Sequence, residues 1–141
     1  MAKKIDCPSA QADSAAARIY GVMTPTEGGL RAGFLTETLA PTPEWLALAG
    51  TAKPSELFRI AAPCSKKACG HFSGGACTLA QRVVAGLKPV VDALPACQIR
   101  DTCRWFFQEG REACLRCPQV QTDSRDASEA YVEIARLPDR A

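Results

Sequence analysis

No apolar run in this chain of 141 residues approaches the roughly 20 that a membrane-spanning helix needs. The first ten residues, MAKKIDCPSA, carry two lysines with no apolar stretch behind them, so no secretory signal is expected and a reducing cytoplasm is the expected location. The formal net charge is only +2, too small by itself to imply a nucleic-acid partner. The G-x-x-x-x-G-K-[ST] loop of nucleotide hydrolysis is missing. So is the C-x3-C-x2-C triplet of radical S-adenosylmethionine chemistry. Histidine occurs once, as His71, and nothing marks a third group that would orient it in a cysteine–histidine hydrolase. No residue stands out as catalytic, and a non-enzymatic role is favoured.

With 47% hydrophobic and 23% charged residues, the chain should fold around a real core, and its length suits one domain over residues 1–141. Residues 1–13 read as a loose arm and 14–63 as a small β-rich part. ARIYGVMT (Ala17–Thr24) and LRAGFLTETL (Leu30–Leu39), separated by turn-forming TPTEGG, predict a hairpin. TPEWLALAG has the start and stop signals of a short helix, and SELFRIAAPC reads as a third strand that delivers Cys64. Residues 64–120 form a cysteine-rich helical part. In it, TLAQRVVAGLKPVVDAL has helical spacing that Pro89 should kink or restart. A polar tail, 121–141, is weakly helical from about Ser128 to Leu137. The expected fold is α+β: a small antiparallel sheet made of the hairpin and one strand, a few short helices, and two cysteine-rich metal-binding loops.

Against these absences stand eight cysteines, seven of them between Cys64 and Cys117. In an exported chain they would suggest disulfides. In a cytoplasmic chain, clustered thiols point to metal binding or redox chemistry, whereas buried structural thiols need not cluster. They divide into Cys64-x4-Cys69-x7-Cys77, with Cys7 far upstream, and Cys97-x5-Cys103-x10-Cys114-x2-Cys117. Short glycine-bearing spacers let the backbone curl so that successive sulfurs converge. Four and four suggest two tetrathiolate centres. His71, inside CGHFSGGAC, is the alternative to Cys7 as fourth ligand of the first.

Only Cys114–Cys117 has the tight spacing of a zinc knuckle; the looser spacings suit iron–sulfur clusters, which are larger. Cations also favour a cluster, because a tetrathiolate centre is anionic. Lys66, Lys67 and Arg82 in the first segment, and Arg100, Arg104, Arg111 and Arg116 against Asp101, Glu109 and Glu112 in the second, leave an excess of four positive charges. Phe72, Trp105, Phe106 and Phe107 could shield it from water. The expected cofactor is therefore one or two iron–sulfur clusters of the 4Fe-4S type, with zinc as the alternative.

Cys97–Val120, with CGHFSGGACTLAQRV before it, resembles uncharacterised cysteine-rich bacterial proteins known only as hypothetical, and the likeness runs from the hairpin to Val120. It implies no fold, activity or ligand. The residues themselves lead to an iron–sulfur protein acting in electron transfer or in redox or iron sensing, with a redox or regulatory protein as partner and no membrane. The alternative is a zinc-stabilised module that binds a protein or, with weaker support, nucleic acid through Arg100, Arg104, Arg111 and Arg116.

Overall fold

A computed structural model describes residues 5–123 and Ile134, apart from the side chain of Lys67. The fold is α+β. Strands β1 (Asp6–Cys7), β2 (Arg18–Thr26), β3 (Gly29–Leu39) and β4 (Phe58–Pro63) form one antiparallel sheet in the order β1-β4-β2-β3. The expected hairpin is β2–β3, closed where Thr26 pairs with Gly29. The expected third strand is β4, shorter than the sequence suggested. Its first three residues fall in helix α2 (Pro54–Leu57), because Pro54 opens a helical turn and the Glu56 carboxylate accepts from the Lys53 amide at 2.6 Å. α1 (Pro43–Leu46) and a following 3-10 turn are the expected short helix.

Residues 1–13 were expected to be loose, but part of that arm is a strand. Asp6 and Cys7 pair with Pro63 and Ala62, and the Cys64 amide donates to the Ile5 carbonyl at 2.8 Å. The Asp6 carboxylate accepts from Arg18 and from the Thr102 hydroxyl, both at 2.6 Å, so a buried charge is compensated where the arm docks.

Beyond β4 come a glycine-turned ribbon, β5 (Phe72–Ser73) and β6 (Ala76–Cys77), then α3 (Thr78–Gly86), α4 (Arg104–Glu109) and α5 (Arg111–Arg116). Gly74 and Gly75 both have positive φ, as a two-residue hairpin turn requires. The helix expected over TLAQRVVAGLKPVVDAL stops at Gly86 and does not restart, because Pro89 disfavours helical geometry at the residue before it. The stretch that follows is pinned to α5 instead: Val90 N–H bonds the Leu115 carbonyl at 2.9 Å, and Arg116 Nε donates to the Leu87 carbonyl at 2.8 Å. The second cysteine-rich segment, expected as a loop, is mainly helical. The expected tail helix from Ser128 to Leu137 lies outside the described residues except for Ile134.

Alternation along β2 and β4 buries both sheet faces. Ile19, Phe58, Ile60 and Ala62 pack on one side, while Tyr20 and Ala61 pack with Val83, Ile99, Cys103 and Trp105 on the other. Gly21 pairs with Arg59, and a Cβ there would lie 3.1 Å from Phe34 Cδ1 and 3.3 Å from both Arg59 Cβ and the Gly33 carbonyl. Glycine is what allows the three strands to close at this point.

Candidate metal centre

None of the eight cysteines is in a disulfide, and four of them border each of two cavities. Cys7 comes from β1, Cys64 follows β4, Cys69 follows a 3-10 turn, and Cys77 ends β6. These four border one cavity of about 390 Å³, whose wall also includes Phe72, Arg104 and Trp105. Cys97 lies ahead of a 3-10 turn, Cys103 caps α4, Cys114 lies in α5 and Cys117 follows it. They border a second, much narrower cavity of about 20 Å³, room for little more than a water-sized body, with Tyr20, Ile99, Arg100 and Phe106. Among the described residues no three His, Cys, Asp or Glu side chains are placed to grip a single metal ion. Within each quartet the thiols border a shared space instead of meeting at a point.

Burial dominates the thiol chemistry. It pushes Cys7 up to about 12, helped by its three partners Cys77, Cys64 and Cys69 and opposed by the Ser9 amide. It pushes Cys103 up to about 12 as well, with Cys117 and Cys97 adding to the effect and the amides of Phe106 and Trp105 opposing it. Without a metal these thiols keep their protons at neutral pH, so loading must expel protons. The sulfurs also find donors. The Ala80 amide at the start of α3 points to Cys77 at 3.5 Å, the Trp105 indole faces the same sulfur, and the His71 amide points to Cys69 at 3.4 Å.

His71 takes a different part from Cys7. Its carbonyl accepts from the Thr78 amide at 2.7 Å and the Thr78 hydroxyl at 2.5 Å, which fixes the ribbon to α3. Its Nδ1 lies 2.8 Å from an Arg82 nitrogen. Guanidinium can only donate, so Nδ1 accepts and the neutral ring carries its proton on Nε2. Burial and then Arg82 lower the pKa of this histidine. The ring borders a cavity of about 210 Å³ with Cys7, Cys69 and Cys77, whereas Cys7 shares the larger space with all three thiols of its segment.

The arginines divide in a way the sequence did not show. Arg104 lines the first cavity over the Phe72 ring, and Arg100 lines the second over Phe106. Both have a buried Nε without a hydrogen-bond partner among the described residues. Arg111 and Arg116 instead hold backbone carbonyls of Asp92, Leu87 and Glu112. Of the expected aromatic shield, Trp105 is 2% exposed but Phe107 is 71% exposed and shields nothing.

Three residues at the site were not singled out from sequence. Arg59, fully buried in β4, donates to the Cys117 carbonyl at 2.7 Å, the Val120 carbonyl at 3.0 Å and the Cys117 sulfur at 3.0 Å. Tyr20 lies under that guanidinium, 5.4 Å from it, and gives its hydroxyl to the Pro8 carbonyl at 2.5 Å. Gln108 in α4 receives the Cys77 amide at 2.8 Å and donates to the Cys77 carbonyl at 2.9 Å. The one available signal was a charged residue inside the apolar run LFRIAAP. Comparison with protein-family models, with curated proteins and with solved structures finds no match for this chain.

Proposed function

We propose that this chain is an iron–sulfur protein of electron transfer or redox sensing. One cluster would be held by Cys7, Cys64, Cys69 and Cys77, and a second by Cys97, Cys103, Cys114 and Cys117. The observation that carries the reading is the sorting of eight thiols, drawn from distant parts of the chain, into two quartets that each border one shared cavity. Thiols used only as small core residues have no reason to gather four to a cavity. A tetrathiolate cluster supplies one-electron chemistry when bound. The chain supplies sulfur ligands, amide and indole donors that spread the anionic charge, and guanidiniums that offset it.

His71 supports the choice of Cys7 as fourth ligand. A ligating imidazole needs a free lone pair, and Arg82 uses the one on Nδ1. The second cavity is narrow, so loading it must part the thiols, whereas the first has room as it stands. The partner implied is a redox or regulatory protein.

Anaerobic purification followed by iron, acid-labile sulfide and zinc determination on one sample tests the reading. Iron and sulfide in equal amounts, with a broad visible absorption band, are expected. Colourless protein with stoichiometric zinc and no sulfide would replace this reading with the zinc-stabilised binding module.

A further inference from the structure

The first cavity has a single charged group on its wall. Among the described residues that border it, Arg104 alone carries a formal charge, and no carboxylate is there. Arg104 is the first residue of α4, directly after Cys103. A cation at that end of a helix meets the positive pole of the peptide dipoles, the less favourable place for it. Its Nε is buried without a hydrogen-bond partner among the described residues, and neither described ion pair includes it. The guanidinium lies over the Phe72 ring, 5.5 Å from the ring centre. Arg59 and Arg100, by contrast, donate to backbone carbonyls, the first to Cys117 and Val120 and the second to Pro95. Nor is Arg104 needed to anchor α4, since Gln108 already ties that helix to both backbone polar groups of Cys77.

A buried donor without an acceptor costs stability in the chain alone, and so does a partly buried cation with no described counter-charge. Both features become favourable once an anion fills the cavity, because a hydrogen bond between charged partners is among the stronger ones. A tetrathiolate cluster is such an anion. We propose that Arg104 is a cofactor-binding residue of the first centre: its guanidinium, held ready over Phe72, donates to the anionic cluster and sets how firmly the four thiols retain it. This rests on the iron–sulfur reading above and concerns the first quartet alone. The stability that Arg104 costs the metal-free chain is regained on loading. Replacing it should therefore move the metal-free and the loaded protein in opposite directions, which a residue serving only to pack the wall would not do.

The test compares the full native chain with Arg104→Met and Arg104→Lys, each purified anaerobically and each also stripped of metal under reducing conditions. Methionine keeps an unbranched side chain with a sulfur that packs well on the Phe72 ring, but brings neither charge nor donor. Two quantities are read: the urea midpoint of the metal-free protein, and the rate at which a chelator removes iron from the loaded protein. Arg104→Met should raise the midpoint, because the unpaired buried donor is gone. It should also speed iron loss by about tenfold or more, because a hydrogen bond to a charged acceptor is gone. Arg104→Lys keeps the charge without the Nε donor, and its iron loss should fall between the two. A metal-free Arg104→Met that unfolds at lower urea, or does not fold at all, would make Arg104 a packing residue and overturn the inference. So would loaded Arg104→Met that gives up iron at the native rate. In both cases the iron–sulfur reading would stand, provided the native protein holds iron and sulfide. Native protein without them would remove that reading, and this inference with it.

Discussion

Cys7 and His71 are the residues on which the account of the first centre can be checked most simply. Cys7→Ala should cost that centre its iron, lowering bound iron by about half if both quartets load alike. His71→Ala should leave iron in place, because the ring is engaged by Arg82 and its role is to hold the ribbon. Iron analysis of the two variants separates them. Asp123 gives a pH-dependent test of the fold. Burial alone would raise its pKa, but hydrogen bonds from the Ser55 hydroxyl and from Gln11, with Lys53 nearby, outweigh that and hold it below the usual carboxylate value. A lowered folded-state pKa contributes stability above the unfolded value of 3.8, and that stability is lost as pH falls through the folded value. Urea unfolding of metal-free Asp123→Asn should therefore show a deficit against the native chain at pH 6. The deficit should shrink as pH falls below the unfolded value of 3.8. Eight cysteines and their grouping were legible residue by residue. Arg59 was not, because nothing local reveals that a charge inside an apolar strand will meet a sulfur 58 positions away.

Elements bring the ligands together, and two contacts do most of that positioning. The Gln108 side-chain amide holds both backbone polar groups of Cys77, tying the end of the ribbon to α4. Gln108→Ala should destabilise the fold by about 1 kcal/mol and loosen the first centre. The measurement is the urea midpoint together with the rate of iron loss to a chelator. Gly21 allows β2, β3 and β4 to close around Arg59. Gly21→Ala should cost about 1–3 kcal/mol, since its Cβ meets a backbone carbonyl and β-carbon that cannot swing aside. Thermal unfolding checks it. The hairpin and the short helix after it were legible, because their signals are local. The arm's strand was not: two residues carry no periodicity, and Asp6–Cys7 pair only because β4 offers an edge. The helix over 78–94 was overread because its apolar spacing continues past Pro89, while carbonyls at 87 and 88 are taken by Arg116 and Gln119 of another element.

At the scale of the whole molecule, the fold brings four thiols to each of two cavities that differ in room. The first borders about 390 Å³ and the second about 20 Å³. Filling the second requires its thiols to move apart, so the first quartet should load before it when iron and sulfide are limiting. Reconstitution with enough of both for half the sites should give a product that Cys64→Ser abolishes and Cys117→Ser spares. None of the described helices is long and apolar enough to cross a membrane. The central claim is that eight thiols serve two iron–sulfur centres, and metal and sulfide analysis of anaerobically purified protein tests it most directly. The account predicts about eight iron and eight sulfide per chain if both clusters are cubanes, with no stoichiometric zinc. Zinc without sulfide, or thiols free of any metal, would contradict it.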